Sequence, residues 1–199
     1  MESRLLLFFH HFIRFFFLLT PFFALSVFLS MTNGVTEGKR KKAALQVTFA
    51  VSIICLILFL FGNYIFELFG ITVDAFRIGA GALLFLTAIS LSQGKGHDIS
   101  GDANTDIIVV PLSIPIIAGP ATIGTILVMS AETTQYVDKI LSFSALLVAI
   151  ICVGIILLLA SFLERILHKR GILVLSKLTG LIIAAIAAQM IFTGIRSFF

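Results

Sequence analysis

The sequence predicts an all-α polytopic membrane protein of six transmembrane helices, built as two inverted three-helix repeats with helices 1 and 4 broken. Three observations carry that prediction. Of 199 residues, 59% are hydrophobic and only 12% charged, with a mean hydropathy of +1.15; a soluble domain carries roughly 45–50% apolar and roughly 25% charged residues. The apolar residues fall into six continuous stretches. Proline interrupts the first and the fourth of them. No single core in a chain of this length hides so much apolar surface, so a fully aqueous surround is excluded.

Each stretch is read against the roughly 20 apolar residues that a helix needs to cross hydrocarbon. The first runs from about Leu5 to Ser30, and the second from Ala43 to about Phe61, extendable toward Phe69. The third covers Ala75 to Leu91, the fourth Ile107 to Met129, the fifth Ile140 to Leu163 and the sixth Ile172 to Ile195. Helices are required because a span must satisfy its own backbone in hydrocarbon. A barrel would need alternating segments, and these runs are continuously apolar. The first stretch does not read as a cleaved signal peptide, being too long, holding Arg14 and lacking a clean small-x-small site, and an uncleaved insertion signal would simply be the first helix.

The net charge of +4 encodes orientation rather than nucleic-acid binding. Loop one holds Lys39, Arg40, Lys41 and Lys42, and loop five Arg165, Lys169 and Arg170. Loops two and four carry Glu67, Asp74, Glu132 and Asp138 against Lys139. The positive-inside rule therefore places the odd loops in the cytoplasm and both termini outside. Cys55 and Cys152 lie within apolar runs and form no disulfide framework or ligand cluster.

The chain reads as one membrane domain, 1–199, of two halves, 1–92 and 107–199, joined by a polar linker over 93–106. At an offset of 100 residues, Arg77-Ile78-Gly79-Ala80 faces Lys177-Leu178-Thr179-Gly180, and Ala88 faces Ala188. Repeating an odd number of spans inverts the second copy, a plan common among secondary transporters with broken helices. Prolines that serve only as kinks are the competing reading.

The most unusual segment is Val110 to Thr122, where Pro111, Pro115 and Pro120 each remove a backbone donor. The freed carbonyls need neighbouring helices, water or a ligand. Pro120 suits the first turn of a second half-helix, beyond which free amides and the Thr122 hydroxyl could take a carboxylate or other anion. The corresponding break in the first half is Thr20-Pro21, with Ser26 below it. The candidate substrate-binding set is thus Thr20, Pro21, Ser26, Ser113, Pro115, Gly119, Pro120, Thr122 and Gln189, the last as a buried amide inside span six.

Other polar residues have blander explanations. Arg14 is either buried or snorkels outward, whereas Arg77 and Lys177 read as headgroup anchors. Ala75/Gly79, Ala145/Ala149 and Gly180/Ala184/Ala188 read as close helix contacts. His97, Asp98, Asp102 and Asp106 read as a solvated connection, so neither a metal nor another cofactor is expected. No motif for phosphate binding, zinc hydrolysis or a buried Ser/His/Asp set is present, and the chain is not expected to be an enzyme.

The proline segment also carries a resemblance. Pro111-Leu112-x-x-Pro115-x-x-x-Gly119-Pro120, with Gln189-Met190 in the last span, resembles the MarC family of bacterial inner-membrane proteins, some proposed to move neutral amino acids. The resemblance covers essentially the whole chain, and implies six spans and an inner (plasma) membrane location. Family members typically show Asn-Pro-x-Gly-x-x-Pro-x-Phe-Leu in the first helix. Here Thr20, Phe23 and Ser26 replace the asparagine, the glycine and the second proline. A family site built on that break would lose an amide and gain bulk. The leading expectation is a secondary transporter of small neutral solutes, with membrane lipids as partners, no nucleic acid, and a homo-oligomer left open. The alternative is a non-transporting membrane scaffold or a stress-related accessory protein.

Overall fold

Pro21 divides the first stretch as its chemistry requires. A computed structural model describes residues 2–93, 117, 119–133 and 135–199, without the side chains of 2, 3 and 63. Helix α1 covers Glu2–Leu18 and α2 covers Pro21–Met31, with proline at the first helical position. Helix α3 covers Glu37–Phe69 and stops at Gly70, whose φ of 61° closes a Schellman turn. The Gly70 amide donates to the Glu67 carbonyl, and the Ile71 amide to Phe66. Helix α4 covers Val73–Gln93, α5 Pro120–Glu132, α6 Tyr136–Leu158 and α7 Ala160–Arg196.

Five helical stretches among the described residues are long and apolar enough to cross a membrane: Arg4–Met31, Glu37–Gly62, Val73–Gln93, Tyr136–Leu158 and Ala160–Arg196. The second half of the expected fourth span forms α5; its first half, with Pro111, Ser113 and Pro115, lies outside the described residues, as do 94–106 of the linker. The fold is all-helical over what is described. Loop five, expected between spans five and six, is reduced to a kink: helix begins at Ala160, breaks at His168 and resumes. The chain bends at His168, with φ 54° and ψ 165°. That conformation is not helical, so α7 is two helical pieces joined at His168, and the charged segment that predicted a break does contain one.

Helix α3 shows how a membrane chain uses apolar residues on both faces. Ala43, Val47, Val51, Cys55 and Phe59 recur every fourth residue and are buried. Leu45, Phe49, Ile53, Ile57 and Leu60 form a second stripe that is exposed. In water that stripe would be an aggregation surface, whereas in a bilayer it is the lipid-facing side.

Between helices, small residues set the spacing. A Cβ on Gly81 would approach Ile191 Cγ1 to 2.8 Å, and one on Gly180 would reach the Ala88 carbonyl oxygen at 3.0 Å. These contacts make α4 and α7 an antiparallel pair, the start of one against the end of the other. Ala145 and Ala149 are buried as expected. Ala75 and Gly79 are not a contact: both are exposed, and a Cβ on Gly79 would meet nothing within 4 Å. The close-packed glycine of that helix is Gly81. Helix α2 packs on α7 while α5 packs on α4, and α3 packs on α6.

Candidate functional site: two helix breaks that meet

Thr20 joins α1 to α2 in a left-handed conformation, φ 47° and ψ 55°. A β-branched residue seldom adopts it, at a penalty of roughly 1–2 kcal/mol. The conformation is over-determined by its neighbours. The Thr20 amide donates to Phe17 at 2.9 Å, and its carbonyl accepts from Ala24 at 2.9 Å, closing one helix and opening the next. The side chain is only 4% exposed. Its hydroxyl is buried without a hydrogen-bond partner and makes no cap.

The start of α5 shares the proline of the first break, although its N-cap is extended rather than left-handed. Gly119 is the N-cap of α5 with φ −70° and ψ 172°, Pro120 follows at the first helical position, and the Gly119 carbonyl accepts from Ile123 at 2.9 Å. Pro120 thus begins a half-helix, as its chemistry suggested. The two breaks meet. The Thr122 hydroxyl, buried, faces the Leu18 carbonyl at 3.4 Å across 104 residues of sequence. That separation exceeds an ordinary hydroxyl hydrogen bond. Two hydroxyls therefore lie near the chain breaks, one without a partner and one with a loose partner.

Ser26 lies elsewhere. It is half-buried and about 9 Å farther along α2 at 1.5 Å per residue. It lines a cavity of about 280 Å³ with Ser30, Asn33, Arg40, Glu164 and Lys169. Helix α2 thus connects the break at its start to a polar mouth beyond its middle. Phe23, where the family pattern has glycine, is half-buried and packs against the core. Gln189 is exposed, contrary to the expected buried amide, because the inward stripe of α7 runs through Ile183, Ala187 and Met190 and leaves position 189 outside it.

The structure adds residues that the sequence did not single out. Thr125, one turn beyond Thr122, donates to the Ala121 carbonyl at 2.8 Å and lies 3.7 Å from the Met190 sulfur. Ser130 donates to the Phe59 carbonyl, joining α5 to α3. Both residues are buried, as is nearly all of α5, so no sequence spacing singled them out.

Arg77 is more than a headgroup anchor. Its side chain is 11% exposed, pairs with Asp74 at 2.8 Å and also pairs with Glu132, binding the start of α4 to the end of α5. Arg14 is half-buried and lies within electrostatic reach of Glu132 and Arg77. No group of three or more potential metal ligands occurs among the described residues. Lys177 is exposed.

Comparison with known proteins agrees with this architecture. Residues 5–199 match the profile of the MarC family of integral membrane proteins. The chain is 33% identical over 200 aligned positions to the UPF0056 membrane protein YhcE of Escherichia coli, with 96% of this chain and 93% of that protein covered. It is 36% identical over 187 positions to the UPF0056 membrane protein MJ1677 of Methanocaldococcus jannaschii, covering 90% and 91% respectively. The UPF0056 membrane protein YvbG of Bacillus subtilis is 33% identical over 203 positions, covering 96% and 94%. No solved structure matches the chain.

Proposed function

The chain belongs to the MarC family of integral membrane proteins, and from that premise we propose that it is a secondary transporter of a small neutral solute, an amino acid or related metabolite, across the inner membrane. The observation that carries this reading is the meeting of the two breaks, Thr122 against the Leu18 carbonyl beside the unpartnered Thr20 hydroxyl. Broken helices place backbone donors and acceptors inside hydrocarbon, where a solute can satisfy them. In this conformation the crossing is closed and the polar mouth at Ser26 is open. Transport requires the half-helices α2 and α5 to move apart and expose the crossing to one side at a time. Thr20, Pro21, Gly119 and Thr122 line it in this reading, and the role is non-enzymatic. Both termini lie outside in this reading.

The test is uptake and efflux of labelled small neutral amino acids in proteoliposomes holding wild type, Thr20→Val or Thr122→Val. Each valine keeps side-chain shape and removes one hydroxyl. The expected result is solute movement by wild type and a loss of about tenfold, equivalent to roughly 1.4 kcal/mol, in each variant. Equal flux in protein-free liposomes and in all three samples sinks the proposal. A second reading, a non-transporting scaffold or stress-related accessory protein, is favoured by the tight burial of Thr20 and Thr122. It predicts no flux and a stable protein partner on purification.

A further inference from the structure

At the charged end of the molecule, Arg40 stands between two cavities. One is the mouth that Ser26 lines. The other, of about 160 Å³, lies between the start of α3 and the junction of α6 with α7. Arg40, Lys41 and Arg165 stand around it, with Glu37 as its one carboxylate. Arg40 is fixed there by two donated bonds, to the Ser161 hydroxyl at 2.8 Å and to the Thr32 carbonyl at 3.0 Å. Its Nε is buried without a partner. Among the described residues, neither Lys41 nor Arg165 pairs with a carboxylate, since the ion pairs found there are those of Arg77.

The floor of this cavity is apolar: Leu158, Leu159 and Phe162. Leu159 is 48% and Phe162 57% exposed. Ile166, one turn on, is exposed as well, so the short segment before the His168 bend presents an apolar stripe beside Arg165. The cavity also lies at the junction of two apolar helices long enough to cross a membrane, Tyr136–Leu158 and Ala160–Arg196. Three cations against one carboxylate complement a phosphodiester. The exposed apolar floor beside them complements acyl chains. A free phosphate has no use for that floor.

We propose that this cavity is a binding site for an anionic phospholipid, its phosphate held by Arg40, Lys41 and Arg165 and its acyl chains lying over Leu159 and Phe162. The bound lipid ties the start of α3 to the start of α7, beside the mouth that Arg40 also borders. The proposal does not depend on transport.

The test uses the full chain in nanodiscs of phosphatidylcholine into which phosphatidylglycerol is titrated, with lipid retention after extraction read by native mass spectrometry. Wild type should retain phosphatidylglycerol over phosphatidylcholine. Lys41→Gln/Arg165→Gln should retain it about 30-fold less, at roughly a factor of five for each cation near the headgroup. Lys41→Arg/Arg165→Lys preserves charge and should restore retention, which separates lost binding from misfolding. Arg196→Gln, at the far end of α7, should behave as wild type. Equal retention of the two lipids, or an unaffected Gln double variant, overturns the proposal. Displacement by soluble glycerol phosphate at concentrations comparable to phosphatidylglycerol also overturns it, by assigning the site to a free phosphate ester.

Discussion

Gly194 allows two opposing effects to be weighed at one atom. Alanine is the better helix former by roughly 0.8–1.0 kcal/mol, so Gly194→Ala should stabilise α7 if nothing else intervened. A Cβ at that position would lie 2.7 Å from Ile78 Cγ1 and 2.9 Å from the Asp74 carbonyl oxygen. The isoleucine can rotate, but the carbonyl belongs to the backbone of α4 and can yield only if the helix moves. Overpacking of this kind costs roughly 1–3 kcal/mol, and the rigid partner puts it in the upper part of that range. The net expectation is a loss of about 1–2 kcal/mol, or a fall of roughly 2–8 °C in unfolding temperature for a chain of this size. Gly79→Ala is the matched control, since its Cβ would meet nothing within 4 Å. It should gain up to about 1 kcal/mol and unfold roughly 2–4 °C higher. Cys55 is buried and supplies the assay, because a fluorogenic maleimide labels it as the detergent-solubilised protein unfolds. Shifts of the same sign and size in both variants would refute the close approach of α4 and α7.

Three further outcomes are expected. Arg77→Gln and Glu132→Gln should each lower the unfolding temperature, and the double variant should lose less than their sum. The carboxylates are 37% exposed against 11% for the arginine, so solvent screening limits the coupling to about 1 kcal/mol; strict additivity would remove the α4–α5 bridge. Thr20→Asn relieves a left-handed β-branched residue and should unfold higher by roughly 2–4 °C, since asparagine tolerates that conformation. Thr20→Val should leave the unfolding temperature unchanged or raised, and a fall would mean that the hydroxyl is bonded in the folded chain. Finally, with Cys55 and Cys152 replaced by serine, Gln135→Cys should label with an impermeant maleimide from outside the cell and Lys39→Cys should not; the reverse pattern inverts the topology.

The breaks were legible in sequence because proline acts locally. Pro21 and Pro120 lack the amide that would continue a helix, and each stands at a helix start wherever the chain folds. What could not be read was phase and long-range pairing. Gln189 and Met190 are neighbours, and only the packing of α7 on α4 decides that methionine goes inward and the amide outward. Gly79 and Gly81 look alike in sequence, yet only one faces a partner helix. Arg77 looked like an anchor because its second carboxylate, Glu132, is distant in the chain and is brought near by α5. The charge cluster of loop five did mark a real break at His168, but it did not show that helix runs up to that residue and resumes after it.

The pairing of α4 with α7 also sets the order in which the protein can be made. Asp74 and Gly194 are among the residues that touch across it, and the chain between them takes on the order of 10 s to synthesise at ordinary elongation rates. During that interval α4 sits in the bilayer with the face of Gly81 and Ala88 unpaired, held by Phe76 against Phe66 of α3 and by Ala80 against Gly124 of α5. Helix α7 is the one that covers this face. A chain cut within α7 would therefore strand α4 as well, and the insertion machinery has to tolerate an open helix face until α7 arrives.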